Sequence, residues 1–120
     1  MSRIAAISEF GQQIWLDNLS RQLLESGELA DWIAKDAVAG VTSNPAIFYN
    51  AIRSDAAYQA AIAAMKDAAV DGEKRFEMLV LPDIQRACDL FQPLYVQSQG
   101  TAGFVSFEVS PSLADDAAGT

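Results

Sequence analysis

Three short apolar segments set apart by stretches of helical period predict a parallel α/β fold. The segments are "QIWLDN" (13–18), "VAGVTS" (38–43) and "AGFVSFEVSP" (102–111). They are rich in β-branched and aromatic residues and run into polar ones, whereas the intervening stretches repeat their apolar residues every three or four positions. Strand, helices, strand, helices, strand is the order of a sheet whose parallel neighbours are joined by helical crossovers.

The first segment, an uninterrupted apolar run, predicts a strand buried on both faces. After it, Leu19, Leu23 and Leu24, then Leu29, Trp32 and Ile33, keep a helical period that breaks at Ser26 and Gly27. Two short helices are therefore expected. The second opens at Gly27, with Glu28 and Asp31 in its first turn, where negative charge suits the helix dipole. Trp15 and Trp32 have apolar neighbours and are expected in the core.

Asn44-Pro45 closes the second strand, since asparagine can cap a helix and proline at the first helical position gives up no needed N–H. A further helix is expected over "SDAAYQAAIAAMKDAAV" (54–70), capped by Ser54 and rich in alanine. Residues 72–99 also have helical period, but Pro82 and Pro93 should break or kink that helix. The third strand alternates Phe104, Ser106 and Glu108 with Val105, Phe107 and Val109.

At 120 residues, without repeats or a linker-like stretch, the chain is expected to form a single domain over 1–120. A formal charge of −8 repels phosphate backbones, which argues against a nucleic-acid partner. There is no histidine and only one cysteine. That excludes an internal disulfide, a Cys/His zinc cluster and a His-activated nucleophile. Cys88 sits in the helical "IQRACDLF" and is expected to be an inert, buried thiol. Neither a signal peptide nor a membrane span is legible, so the expected location is the cytoplasm.

Each strand runs out in hydrogen-bonding residues: Asp17 and Asn18, then Thr42, Ser43 and Asn44, then Glu108 and Ser110. In parallel α/β proteins the ligand site forms at this end of the sheet, so Asp17, Asn44 and Glu108 are expected to share one mouth. Two carboxylates there could divide proton transfer and water ordering between them. Asp17 is either a helix cap or a catalytic group. Glu108, set in an apolar run, needs a partner or a job. Asn44 can cap, bind a ligand, or do both, and Thr42 and Ser43 either bond nearby backbone or line the site.

"IWLDNLSR", "GVTSNPAIF" and "GFVSFEVSP" follow the order and rough spacing of the first three strands of bacterial transaldolase, which the chain resembles from about Phe10 to Asp115. The resemblance implies the N-terminal portion of a (β/α)8 TIM barrel, an incomplete barrel, because three strands cannot satisfy the linked tilt and shear of eight. It also implies a pentose phosphate pathway enzyme that passes a dihydroxyacetone unit between sugar phosphates through a lysine Schiff base, without metal or organic cofactor. By motif, Asp17 resembles the family's acid/base, and Asn44 the residue holding the hydroxyls of the three-carbon unit, with Thr42 and Ser43 beside it. Glu108 resembles the carboxylate that orders water. The family's Schiff-base lysine falls on the following strand. Lys35, Lys66 and Lys74 lie in helical contexts, where an amine stays protonated. The chain is thus expected to be inactive alone and to have open sheet edges through which it could self-associate. A non-catalytic α/β module and a related Schiff-base aldolase are the alternatives.

Overall fold

The computed structural model describes residues 2–120. Strands β1 (Ile14–Asp17), β2 (Val38–Thr42) and β3 (Phe104–Ser106) form one parallel sheet in the order β1-β2-β3. Leu16, Val41 and Val105 are in register and face the helices, with Val41 fully buried. The opposite face has two rows, Trp15-Gly40-Phe104 and, above it, Asp17-Thr42-Ser106. Only the helix-facing side is covered, so β1 is not buried on both faces as its composition suggested. Trp15 is 39 % exposed rather than core, while Trp32 packs half-buried against the core.

The third strand is shorter than the sequence predicts. β2 stops at Thr42 because Asn44-Pro45 begins a helix, so residues 107–109 have no neighbouring strand to pair with. The Ser43 N–H and hydroxyl both donate to the Ser106 carbonyl (3.1 and 2.9 Å), and there the ladder ends.

The first crossover is as expected: α1 (Arg21–Glu25) and α2 (Glu28–Asp36) are split at Gly27, whose φ of 83° a side chain would oppose. In the second crossover α3 (Pro45–Ser54) starts at Pro45 as expected, but the next cap is Asp55, not Ser54. The Asp55 carboxylate accepts from Ala57 N–H (2.9 Å) and, across the fold, from Gln22 N–H (2.8 Å), which a serine hydroxyl at 54 could not match. A 3₁₀ turn, Ala56–Tyr58, leads into α4 (Gln59–Ala64), which is far shorter than the alanine run. Short helices depend on burial more than on propensity, and here only Ala61 and Met65 pack against the core.

Helix α5 (Gly72–Gln97) runs unbroken for 26 residues through Pro82 and Pro93. Both prolines are exposed. The carbonyls they leave unbonded therefore lie on the side where water can satisfy them, while Leu79, Val80, Ala87 and Phe91 hold the other side in the core. Cys88 lies on the outer side too and is exposed, which corrects the expectation of a core thiol. Local desolvation, and secondarily the Asp89 carboxylate, still push that thiol above its usual range.

A buried polar cluster joins the helices. Asp83, 3 % exposed, accepts from Arg21 Nε (3.0 Å) and from the Tyr58 hydroxyl (2.7 Å). The Arg21 guanidinium also donates to the Leu79 carbonyl (2.9 Å) and lies 4.4 Å from the centre of the Tyr58 ring. Removing one partner strands the others, so Asp83→Ala should lower the unfolding free energy by about 3 kcal/mol in urea titrations. Burial, then the bond to Asp83, pushes the Tyr58 hydroxyl well above its ordinary 10.0. The folded chain therefore keeps a proton that the unfolded chain gives up. This contribution is complete below pH 10.0 and should decline above it by up to about 1.4 kcal/mol per pH unit. Tyr58→Phe should weaken the fold at neutral pH and flatten that alkaline decline.

Candidate functional site

Parallel pairing brings the ends of β1 and β2 level, and the first consequence is a direct contact. The Thr42 hydroxyl donates to Asp17 Oδ1 at 2.7 Å. Asp17 is exposed and Thr42 half-exposed, so the pair stays open to a ligand from the uncovered side of the sheet. A hydroxyl bonded to one carboxylate oxygen fixes the rotamer and leaves the second oxygen free to accept a proton. Asp17 is the last residue of β1, and the next helix is capped by Ser20, not by Asp17. The helix-cap alternative for Asp17 is thereby removed.

Asn44 is the N-cap of α3. Its backbone is extended, and Oδ1 accepts from Ile47 N–H at 2.9 Å. That bond decides which end of the amide is the acceptor and leaves Nδ2 without a partner among the described residues. The residue thus caps the helix and still has two donors to offer at the mouth of the sheet, two positions beyond Thr42.

Ser43 has a different place. It is 3 % exposed, and its hydroxyl is committed to the Ser106 carbonyl. Its use is structural: it ties the end of β2 to the end of β3.

Glu108 lies beyond β3 and is exposed, so the cost of a buried charge does not arise. It lines a cavity of about 690 Å³ between α3, the first half of α5 and the C-terminal segment, with Pro45, Tyr49, Glu73, Phe76 and Phe107 among the other walls. Asp17, Thr42 and Asn44 do not line that cavity. The structure gathers Asp17, Thr42 and Asn44 at one end of the sheet and sets Glu108 in a neighbouring hollow.

Sequence reasoning passed over Ser106, which shares the Asp17-Thr42 row and is exposed. The signal was there in the alternation that put Ser106 on the side of Glu108. Among the described residues no cluster of three or more His, Cys, Asp or Glu side chains could hold a metal ion. The three lysines are remote from this row: Lys35 pairs with Asp31 and Lys74 with Glu77 on helix surfaces, and Lys66 is in the exposed turn after α4.

Residues 14–120 match the family described as Transaldolase/Fructose-6-phosphate aldolase. The chain is 52 % identical over 114 residues to the transaldolase of Thiobacillus denitrificans, a match covering 95 % of this chain and 32 % of that protein. It is 48 % identical over 120 residues to a transaldolase of Neisseria meningitidis, covering 100 % of this chain and 34 % of that one. With the transaldolase of Trichodesmium erythraeum the identity is 44 % over 119 residues, or 99 % and 31 % of the two chains. The chain spans about a third of the length of the curated relatives it matches.

The two uses of Asn44 can be separated. Asn44→Ala should cost about 1 kcal/mol of stability through loss of the cap. Asn44→Asp keeps the cap oxygen and should fold nearly as well, but it removes both free donors. Urea midpoints of the three forms check the assignment.

Proposed function

Because the chain belongs to the transaldolase/fructose-6-phosphate aldolase family, we propose that it supplies the proton-transfer half of a transaldolase active site whose Schiff-base lysine is contributed by another part of the protein. In this reading residues 1–120 are the N-terminal portion of a (β/α)8 barrel, one partial domain. The observation that carries it is the Asp17-Thr42 contact at the C-terminal end of two parallel strands, with the unbonded Asn44 amide beside it.

The substrates are sugar phosphates. Once a lysine elsewhere holds the ketose as an iminium, cleavage of the carbon–carbon bond moves the bonding pair toward the iminium nitrogen. The hydroxyl on the departing carbon must then lose its proton. Asp17 takes it through its free oxygen while Thr42 holds the other, an arrangement that fits a general base of fixed orientation. Asn44 donates to hydroxyls of the retained three-carbon unit. Glu108, exposed beside the mouth, orders the water that enters and leaves as the Schiff base forms and is hydrolysed.

Lys35, Lys66 and Lys74 are exposed, and an ammonium in water is a poor nucleophile. The reading therefore requires a lysine outside these 120 residues. The outer edges of β1 and β3 have no strand partner among the described residues. Those edges would accept further strands of the same barrel, and in their place they would let two copies pair. Among the described residues no helix is long and apolar enough to cross a membrane, and the cytoplasm is the proposed location. A Schiff-base aldolase shares the family description, but the relatives named above are all transaldolases, which favours group transfer over simple cleavage.

Substituting this chain for the matching third of the Thiobacillus denitrificans enzyme should give an active hybrid that needs glyceraldehyde 3-phosphate as acceptor. Asp17→Ala in that hybrid should reduce kcat by about 10²-fold or more, the usual scale of a general acid–base group. A hybrid left fully active by that change would overturn the role of Asp17. The chain alone, incubated with fructose 6-phosphate and borohydride, should keep its mass. A gain of one reduced dihydroxyacetone unit would show that one of its own lysines is the nucleophile.

A further inference from the structure

We propose that Gly40 is a positioning residue for Asp17, acting through the indole of Trp15 as a lock on the register between β1 and β2. The lock itself is independent of the reaction, and only its consequence for turnover rests on the transaldolase reading.

The pairing of β1 with β2 is not uniform. Ile14 stands opposite Val38, but the next residue, Trp15, stands opposite Gly40, so Ala39 is an extra residue with no partner on β1. Such a bulge is uncommon between parallel strands and re-aims every side chain after it. With even pairing from Ile14, Asp17 would fall opposite Val41. Partners in register share a face, and Val41 is wholly buried on the helix side. Asp17 would then be driven into the core, or Val41 out of it. With the extra residue, Leu16 meets Val41 and Asp17 meets Thr42, and the 2.7 Å hydrogen bond closes.

What holds the shifted register is the space above Gly40. A Cβ there would lie 2.7 Å from Trp15 Cδ2 and 2.8 Å from Cε2 and Cε3, so the indole occupies the volume of the missing side chain. From this seat the ring reaches across β2 to the Phe104 ring of β3 and stacks on it, the two planes nearly parallel at 8° and the centroids 6.2 Å apart. Its Nε1 donates to Gln13 Oε1 (3.3 Å), and Gln13 Nε2 in turn donates to the Thr101 carbonyl ahead of β3 (2.8 Å). One side chain therefore spans all three strands, on the same face as Asp17 and one row beneath it. A slip of one residue would carry the indole onto a position that has a Cβ, either Ala39 or Val41.

The test is nuclear magnetic resonance on the isotopically labelled chain, reading contacts between Asp17 and Thr42 protons and the ring-current shift of the Gly40 α-protons under the indole. Gly40→Ala should expel the ring and abolish the Asp17-Thr42 contact. Trp15→Leu combined with Gly40→Ala, where a smaller side chain faces the new methyl, should bring the contact back. Urea midpoints are taken alongside. Retention of the contact in Gly40→Ala, even with a lowered midpoint, would reduce Gly40 to a packing residue and overturn the proposal. Failure of the double variant to regain the contact, or its absence from the parent chain, would overturn it equally. None of these outcomes bears on which reaction Asp17 serves, so the lock and the transaldolase reading stand or fall separately.

Discussion

The parallel pairing of β1 with β2 is the constraint from which the rest of the site follows. A strand alternates its side chains strictly, so the register decides at once which residues enter the core and which face the open side. Here one choice sends Leu16 and Val41 to the helices and leaves Asp17 beside Thr42. The apolar pattern alone would tolerate several local arrangements of four residues against five. The indole over Gly40 narrows them to one by fixing β1 against β2 at the row below Asp17, while the tie from Ser43 to Ser106 holds the end of β3 to β2.

The connection after Asp17 is held just as closely, from a different direction. The first three N–H groups of α1 have no intrahelical partners, and each finds another: Arg21 N–H the Tyr58 hydroxyl (3.0 Å), Gln22 N–H the Asp55 carboxylate (2.8 Å) and Leu23 N–H the Ser20 hydroxyl (3.1 Å). Tyr58 and Arg21 are both anchored on Asp83. The short loop from Asn18 to Ser20 is thus strung between a paired strand and a helix start fixed by buried polar groups. Asp17 has little freedom to move, although its side chain is exposed.

The parts of this fold that could be read from sequence are those decided within a few residues. Gly27 splits two helices because its conformation excludes a side chain, and Asn44-Pro45 starts a helix because cap and ring act locally. The parts that could not be read depend on distant partners. Asp55 displaced Ser54 as a cap because Gln22, more than thirty positions earlier, offered it a second donor. Pro82 and Pro93 stayed within α5 because their outward placement is set by what the inner side of that helix packs against. Cys88 is exposed for the same reason. At the site, the candidate residues stood out as polar groups closing apolar segments. The Asp17-Thr42 contact did not, since a bulge at Ala39 is visible only once the strands are paired. The separation of Glu108 from that pair has a similar origin, because the length of β3 is set by where β2 stops.

On the proposed reading, this arrangement divides the labour of a Schiff-base reaction between this segment and the rest of the protein. A base and a hydroxyl-binding group work by being held still, and both can be held by contacts within two or three neighbouring strands. A nucleophilic lysine has the opposite need: it must lose its proton, which takes a desolvated or positively charged setting that an exposed helix surface does not provide. The segment has the elements for the first requirement, namely a paired strand end, a capped helix and a carboxylate with one oxygen occupied. Its three lysines all stand in the setting that defeats the second. An open sheet face with aligned polar groups but no dry pocket around them is suited to orienting a substrate. It becomes suited to activating an amine only when further strands cover the row formed by Asp17, Thr42 and Ser106 and exclude water from it.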